Sequence, residues 1–357
     1  MIRNQKFQLA VGLLLTAGFL WYAFRGTNPH DLWAAIRTFN WLWSIPFLAL
    51  TFASLYIRAW RWRFLMTPLG DYSAGRLYGP MMAGFGINSL LPGRVGEFAR
   101  AYILGKREKL PFAKVFATIV VERIFDMITL LVLLAVVFAN LKIDPSVANT
   151  YQGHTISGED LRKLSFKLAM LCGLFVVGAL GMVWPLSRDF MLKLAVIIPY
   201  APRRFREKIA AMAGHFAEGF ESLTNVKTIV AVFGLSLGVW FLVAWSMQVL
   251  GYGIPGMRSM TLNEANAILV ISCIAIIIPA APGYWGLMEV GIIFGLTILN
   301  VESDKSRALA YALLVHSLQY FPIVAVGLYY VWKEKVSLSE IQSHAAVSTE
   351  DIAEAQA

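Results

Sequence analysis

Residues 86–104 read GINSLLPGRVGEFARAYIL. The run begins and ends apolar, but its middle holds Asn88, Pro92, Gly93, Arg94, Gly96, Glu97 and Arg100. Pro-Gly breaks a helix, because proline has no N–H and glycine loses much backbone entropy on ordering. A helix restarting after the break presents unbonded N–H groups, and a helix N-terminus attracts anions. Arg94 adds a full positive charge in that first turn, and Gly93 and Gly96 let the backbone come close to a ligand. Such a set suits a phosphate. Glu97 can pair with Arg94 or Arg100, or cap free N–H groups. Two readings follow: these residues bind an anionic headgroup, or Arg94, Glu97 and Arg100 pair only to hold the local structure.

Two further motifs carry charge inside apolar sequence. VERIFDM at 121–127 puts Glu122 and Asp126 four residues apart on one helix face, with Arg123 placed to pair with Asp126. These side chains partner the arginines of the first motif or carry a proton, or else form an ion-pair network at the membrane surface. PGYWGLME at 282–289 repeats the Pro-Gly-x-x-Gly pattern of PGRVGE at 92–97, with Gly283 in the place of Gly93. Its lone acid, Glu289, can titrate and couple transport to protons, or cap nearby backbone. His316 and Gln319 lie three apart and face inward, His316 as a hydrogen-bond partner or a ligand. RAWRWRFLM at 58–66 alternates Arg with Trp. It reads as a basic, aromatic membrane anchor, or it adds Arg58 or Arg61 to the headgroup site.

The elements that position these residues follow from composition. The 357 residues are 58% hydrophobic, above the ordinary soluble range. Long apolar runs recur, so the chain reads as a polytopic membrane protein. The net charge of +9 then sets orientation and touches anionic lipid rather than nucleic acid. Cys172 and Cys273 sit in apolar runs and read as small buried side chains. Residues 7–24 follow Arg3 and Lys6, lack a small-x-small cleavage site, and read as an uncleaved first helix.

Spanning-length segments fall near 7–24, 41–57, 115–140, 164–184, 228–250 and 308–332. Segments 77–104 and 263–299 are apolar but interrupted. The flanks of the first are basic (Arg58, Arg61, Arg63, Arg76; Lys106, Arg107, Lys109, Lys114), so both lie inside. The flanks of the second are not enriched in Lys or Arg, so both lie outside. Each segment therefore reads as a re-entrant, broken-helix hairpin. Residues 7–140 and 164–333 form two units of opposite orientation, an inverted repeat of the transporter type. Residues 185–227 form a cytoplasmic amphipathic connection, residues 1–335 a single transmembrane domain, and residues 336–357 a disordered cytoplasmic tail.

No HExxH, GxSxG, CxxC or Walker loop occurs, so no catalytic set, metal or cofactor is expected. NSLLPGRVGEFARAYIL, VERIFDM and PAAPGYWGLME together resemble the lysylphosphatidylglycerol synthase transmembrane-region family, also called flippase-like or UPF0104 membrane proteins. The likeness runs over roughly residues 7–333. In bifunctional relatives this region is associated with flipping an aminoacylated phospholipid made by a separate soluble domain. Other relatives accompany glycosyltransferases or hopanoid genes. No aminoacyltransferase domain follows here, so lysyl transfer is not implied. Tyr284-Trp285 stand where smaller residues are expected, which implies an aromatic wall rather than an anion nest. The resemblance implies a headgroup role for Pro92, Gly93, Arg94, Gly96, Glu97 and Arg100, and by the matching motif for Glu122, Arg123 and Asp126.

The expectation is an all-α multi-pass protein of a bacterial inner membrane, with both termini cytoplasmic. It moves an anionic lipid or polyprenyl-phosphate-type lipid between leaflets. Its substrate-binding residues are those named above, with Asn88, Gly283, Glu289 and His316. The alternatives are a scaffold for a lipid synthase or glycosyltransferase, and an intramembrane lipid transferase.

Overall fold

The computed structural model describes residues 2–91, 94–140, 148–151, 154–157, 170, 225–276 and 282–335. Their helices are α1 (Ile2–Phe24), α2 (Pro29–Arg37), α3 (Ser44–Met66), α4 (Ala74–Leu90), α5 (Val95–Glu108), α6 (Phe112–Asn140), α7 (Val226–Gly251), α8 (Leu262–Ala275), α9 (Leu287–Ile298) and α10 (Lys305–Lys333). Three stretches are long and apolar enough to cross a membrane: Trp41–Leu69, Val226–Gly251 and Lys305–Lys333. They coincide with the expected segments 41–57, 228–250 and 308–332. The expected segments 7–24 and 115–140 lie within α1 and α6. Segment 164–184, most of the connection 185–227 and the tail 336–357 lie outside the described residues.

The described architecture is helical as expected, with one short two-stranded antiparallel ribbon beside it, β1 (Ala148–Tyr151) with β2 (His154–Ser157). Thr150, Tyr151, Thr155 and Ile156 are β-branched or aromatic and suit a pleated backbone better than a helix.

Polar side chains start the helices. Asn28, Ser73, Asn225 and Asp304 each accept a hydrogen bond from an amide in the first turn that follows. Thr261 and Glu264 form a reciprocal capping box at α8.

The two broken segments each fold as a helical hairpin. In the first, α4 and α5 run antiparallel. Arg76 meets Glu108 at 2.8 Å at the open end, Gly84 packs beside Gly96 in the middle, and Asn88 Oδ1 accepts from the Gly96 amide at 2.7 Å near the break. In the second, α8 and α9 run antiparallel. Arg258 ties Glu264 to the Leu299 and Asn300 carbonyls at the open end, and Gly295 and Gly291 lie against Ile268 and Ser272.

α3 and α7 also pack antiparallel. The Asn40 amide donates to the Gly253 carbonyl at 2.9 Å, Arg58 lies over Trp240, and Arg61 donates to Ser236. α4 and α10 approach backbone to backbone, since a Cβ on Gly86 would lie 2.8 Å from Gly327 Cα. Small residues allow such close helix contacts inside membranes, where packing rather than water drives association. Further contacts join α6 to α8, α5 to α6, α9 to α10, α3 to α4, α7 to α8, α2 to α10, α1 to α9, and α6 to both α3 and α7.

Candidate functional site: a buried arginine–carboxylate cluster

The charged motifs converge where α3, α5, α6 and α7 meet. Glu122 of α6 is fully buried and accepts both guanidinium nitrogens of Arg100 from α5, at 3.2 and 2.7 Å. Arg123 Nη2 donates to it at 2.7 Å, and Arg61 Nη2 of α3 lies 3.1 Å away. One turn further on, Asp126 accepts from Arg61 at 2.5 Å and from Arg58 at 3.4 Å, with Arg123 Nη1 also 3.4 Å away. Glu97 stands at the edge, 3.8 Å from Arg123.

Aromatic faces complete the walls. Arg100 lies over Trp62 at 3.5 Å and Arg58 over Trp240 at 5.1 Å, arrangements in which the ring quadrupole attracts the cation. The Trp62 indole donates to Thr118, which fixes the ring.

Burying charge is costly unless each group is paired and hydrogen-bonded. Here four guanidiniums, from Arg58, Arg61, Arg100 and Arg123, face three carboxylates, from Glu97, Glu122 and Asp126. One positive charge is in excess. The buried Nε atoms of Arg61, Arg100 and Arg123 also lack a hydrogen-bond partner among the described residues. The cluster is closed around Glu122 and Arg61 and opens at Arg123 and Glu97, whose side chains are 30% and 21% exposed. Chemically this is a fixed network of charges with one guanidinium in excess, and among the described residues no nucleophile stands beside a base in it.

Five expected residues thus come together: Glu97, Arg100, Glu122, Arg123 and Asp126. The pairing of hairpin arginine with helix acid is the one that VERIFDM allowed. Arg94 does not join them. It is exposed, sits at the N-cap of α5 with φ +55, and makes no ion pair among the described residues. The helix starts at Val95, so Arg94 is not in its first turn, and its left-handed backbone separates it from the inward face. Glu97 therefore pairs with Arg123 rather than with Arg94 or Arg100. The N-terminal amide of Gly96 is occupied by Asn88, so that donor holds the hairpin rather than an anion. Pro92 and Gly93 lie outside the described residues.

Arg58 and Arg61 stood open between anchor and site, and both belong to the cluster. Arg63 does not; it is half exposed and paired with Asp71. Ser236 and Trp240 carried no signal, because a serine or tryptophan in an apolar helix is ordinary.

The second hairpin builds a separate site. Glu289 is not alone: its Oε2 accepts from the Gly286 amide at 2.6 Å, and its Oε1 lies 2.7 Å from His316 Nδ1. The Trp285 ring stacks on His316 at 4.1 Å. Gly283, at φ +77, leaves room for Tyr320 and Trp285, which a Cβ there would meet at 2.7 and 3.0 Å. The aromatic wall implied by Tyr284-Trp285 is thus formed by Trp285 with Tyr320.

Residues 9–327 match the family described as the lysylphosphatidylglycerol synthase TM region. The chain belongs to that family. Among its curated relatives is a glycosyltransferase, AglD, of Haloferax volcanii, 23% identical over 94% of this chain. The chain spans 56% of the length of that protein. UPF0104 membrane proteins of Methanocaldococcus jannaschii and Methanothermobacter thermautotrophicus are 23% and 27% identical, over 70% and 84% of this chain and 95% and 82% of theirs. No solved structure matches. Both the arginine–carboxylate cluster and the Glu289–His316 pair fall inside the region matched to the lysylphosphatidylglycerol synthase TM family. The chain is thus a multi-pass membrane protein of that family.

Proposed function

We propose that the chain moves an anionic lipid, a phospholipid or a polyprenyl-phosphate-type lipid, between the leaflets of the plasma membrane. The observation that carries this reading is the cluster's excess positive charge and unpartnered guanidinium nitrogens, open on the Arg123 side. Ionisable groups at membrane depth face the protein interior or a wet path and mark substrate routes. Arg123 and Arg58 contact the phosphate, and exposed Arg94 meets it at the hairpin tip. Arg61, Glu122 and Asp126 hold these groups in place.

The two hairpins are re-entrant, and the chain is an inverted repeat pairing α3 with α7, α4 with α8, α5 with α9 and α6 with α10. The packing supports this. Exchanging the members of each pair turns α4–α5 into α8–α9, α5–α6 into α9–α10, α3–α4 into α7–α8 and α4–α10 into α8–α6, and all of these are contacts of the fold. α3 and α7 would face each other across the two-fold axis, and they run antiparallel as such an axis requires. The Lys and Arg distribution puts both termini in the cytoplasm.

The test is lipid movement in liposomes holding the purified chain and a fluorescent anionic phospholipid. The wild type and Gly18→Ala, a position with open space around it, move the probe. Arg123→Gln slows it by about tenfold, the factor for losing one charge-assisted contact of about 1.4 kcal/mol. Movement no faster than in protein-free liposomes, or an unaffected Arg123→Gln, overturns the reading. A second reading, a membrane scaffold for a glycosyltransferase, is favoured by the name of the Haloferax relative. It expects no lipid movement and a tolerant Arg123.

A further inference from the structure

Glu289 and His316 are buried together, with side chains 0% and 5% exposed, and the cluster chemistry makes no use of them. Glu289 is held from both sides, by the Gly286 amide and by the imidazole. A carboxylate accepting at Nδ1 places the neutral ring's proton there and leaves Nε2 free to take another. The pair then changes from one negative charge to none. Histidine is the side chain suited to make that change near neutral pH. Trp285, stacked on the ring at 4.1 Å, packs against its face.

Among the described residues around the pair, little else titrates. Along α9, Glu289 is the one ionisable residue. α1 presents Phe19 and Leu20 to Gly286, α8 presents Ser272 and Ala275 to Gly291, and α10 adds Tyr320.

A mechanical connection leaves this site. Tyr320 packs edge-on against both His316 and Trp285, at 5.9 and 5.6 Å. Its hydroxyl donates to the Ser89 carbonyl of α4 at 3.2 Å. The next residue back is Asn88, whose side chain clamps the Gly96 amide across the first hairpin. The tip of the second hairpin also touches α4. A change of charge at His316 thus acts on rings that bear directly on the tip of the first hairpin.

We propose that Glu289 and His316 form a proton-binding site that couples movement of the anionic lipid to a proton gradient. Nε2 takes up a proton from one aqueous side and releases it to the other, and no bond besides N–H is made or broken. This rests on the lipid-transport reading above and adds its energy source.

The experiment pairs two measurements on the full chain. Nitrogen-15 histidine spectra in detergent are recorded from pH 5 to 8, with the His316 signal assigned by its loss in His316→Gln. Movement of a fluorescent anionic phospholipid is followed in liposomes with and without an imposed pH gradient. The expected result is a His316 signal that titrates in that range. The steady-state ratio of probe between the two leaflets should change by up to about tenfold per pH unit of gradient, the limit for one coupled proton. Both His316→Gln and Glu289→Gln should lose the gradient response. Trp285→Phe, which keeps the fold's apolar contact, should weaken it. A His316 signal that does not titrate overturns the proposal. So does lipid movement that ignores the gradient in the wild type, and in that case the transport reading survives. No movement under any condition removes the transport reading and the coupling with it.

Discussion

Replacing Glu122 by Gln should destabilise the chain more than replacing any arginine around it. Glu122 is fully buried and answers three guanidiniums, those of Arg100, Arg61 and Arg123, at 2.7 to 3.2 Å. Its loss leaves four cations against two anions in a closed pocket. Breaking a buried pair from one side costs about 3–5 kcal/mol, because the remaining charge stays buried. Arg100→Gln acts in the opposite sense. It brings the cluster to three against three, and Glu122 keeps Arg61 and Arg123. What is lost is the bidentate contact and the stacking on Trp62, about 1.5–3 kcal/mol for hydrogen bonds to a charged group. In thermal unfolding followed by tryptophan fluorescence in detergent, Glu122→Gln should lower the midpoint by roughly 5–10 °C and Arg100→Gln by about half as much. The double variant should be milder than the sum of the two, because the pair is removed together. A Glu122→Gln midpoint within a degree or two of wild type refutes the reasoning. So does an Arg100→Gln that is the more damaging of the two, since the order of the effects follows from the charge count.

Two glycines test the packing that positions the cluster. A methyl on Gly96 would meet Asn88 Oδ1 at 2.7 Å and run into the Gly84 carbonyl, so Gly96→Ala should open the first hairpin and lower the unfolding midpoint. Gly18→Ala, with nothing within 4 Å, should leave the midpoint unchanged in the same assay. Gly327→Val should part α10 from α4, because even a single Cβ there lies 2.6 Å from Gly86 Cα. The measurement is cysteine cross-linking between positions 89 and 320, where efficiency should fall relative to Gly327.

The helices were legible because long apolar runs have few alternatives in a membrane, and the breaks because Pro-Gly in such a run has no other use. Glu122, Arg123 and Asp126 were legible as one face because helical spacing sets which side chains are neighbours. Their partners were legible only in part. Arg58 and Arg61 lie three apart on the same face, but a basic helix end has an ordinary membrane explanation, and nothing local separates them from Arg63. Arg94 looked like the centre of the site by its place after Pro-Gly. Its position outside the cluster depends on a left-handed backbone at the N-cap, which spacing does not reveal. Glu289 looked unpaired because His316 is 27 residues away, on a helix whose register against α9 is set by tertiary packing alone. The β1–β2 ribbon sat in a polar connection whose few residues gave no pattern to read.

The two halves of the proposed repeat carry different chemistry at matching places. α5 brings Glu97 and Arg100 to α6, and α9 brings Glu289 to α10, where His316 meets it. In each case an acid or base in the opening turns of the hairpin's second helix pairs with the long helix that follows. The first half has arginines, which stay charged at any physiological pH. The second half has a histidine, the side chain whose charge ordinarily changes between about pH 5 and 8. A transporter needs both kinds of site, one that recognises its cargo and one that changes state to move it. If the halves began alike, then on the proposed transport reading their divergence at this one pair of positions would separate binding from energy input. Tyr320, reaching from the second site to Ser89 in the first hairpin, is where the two would meet.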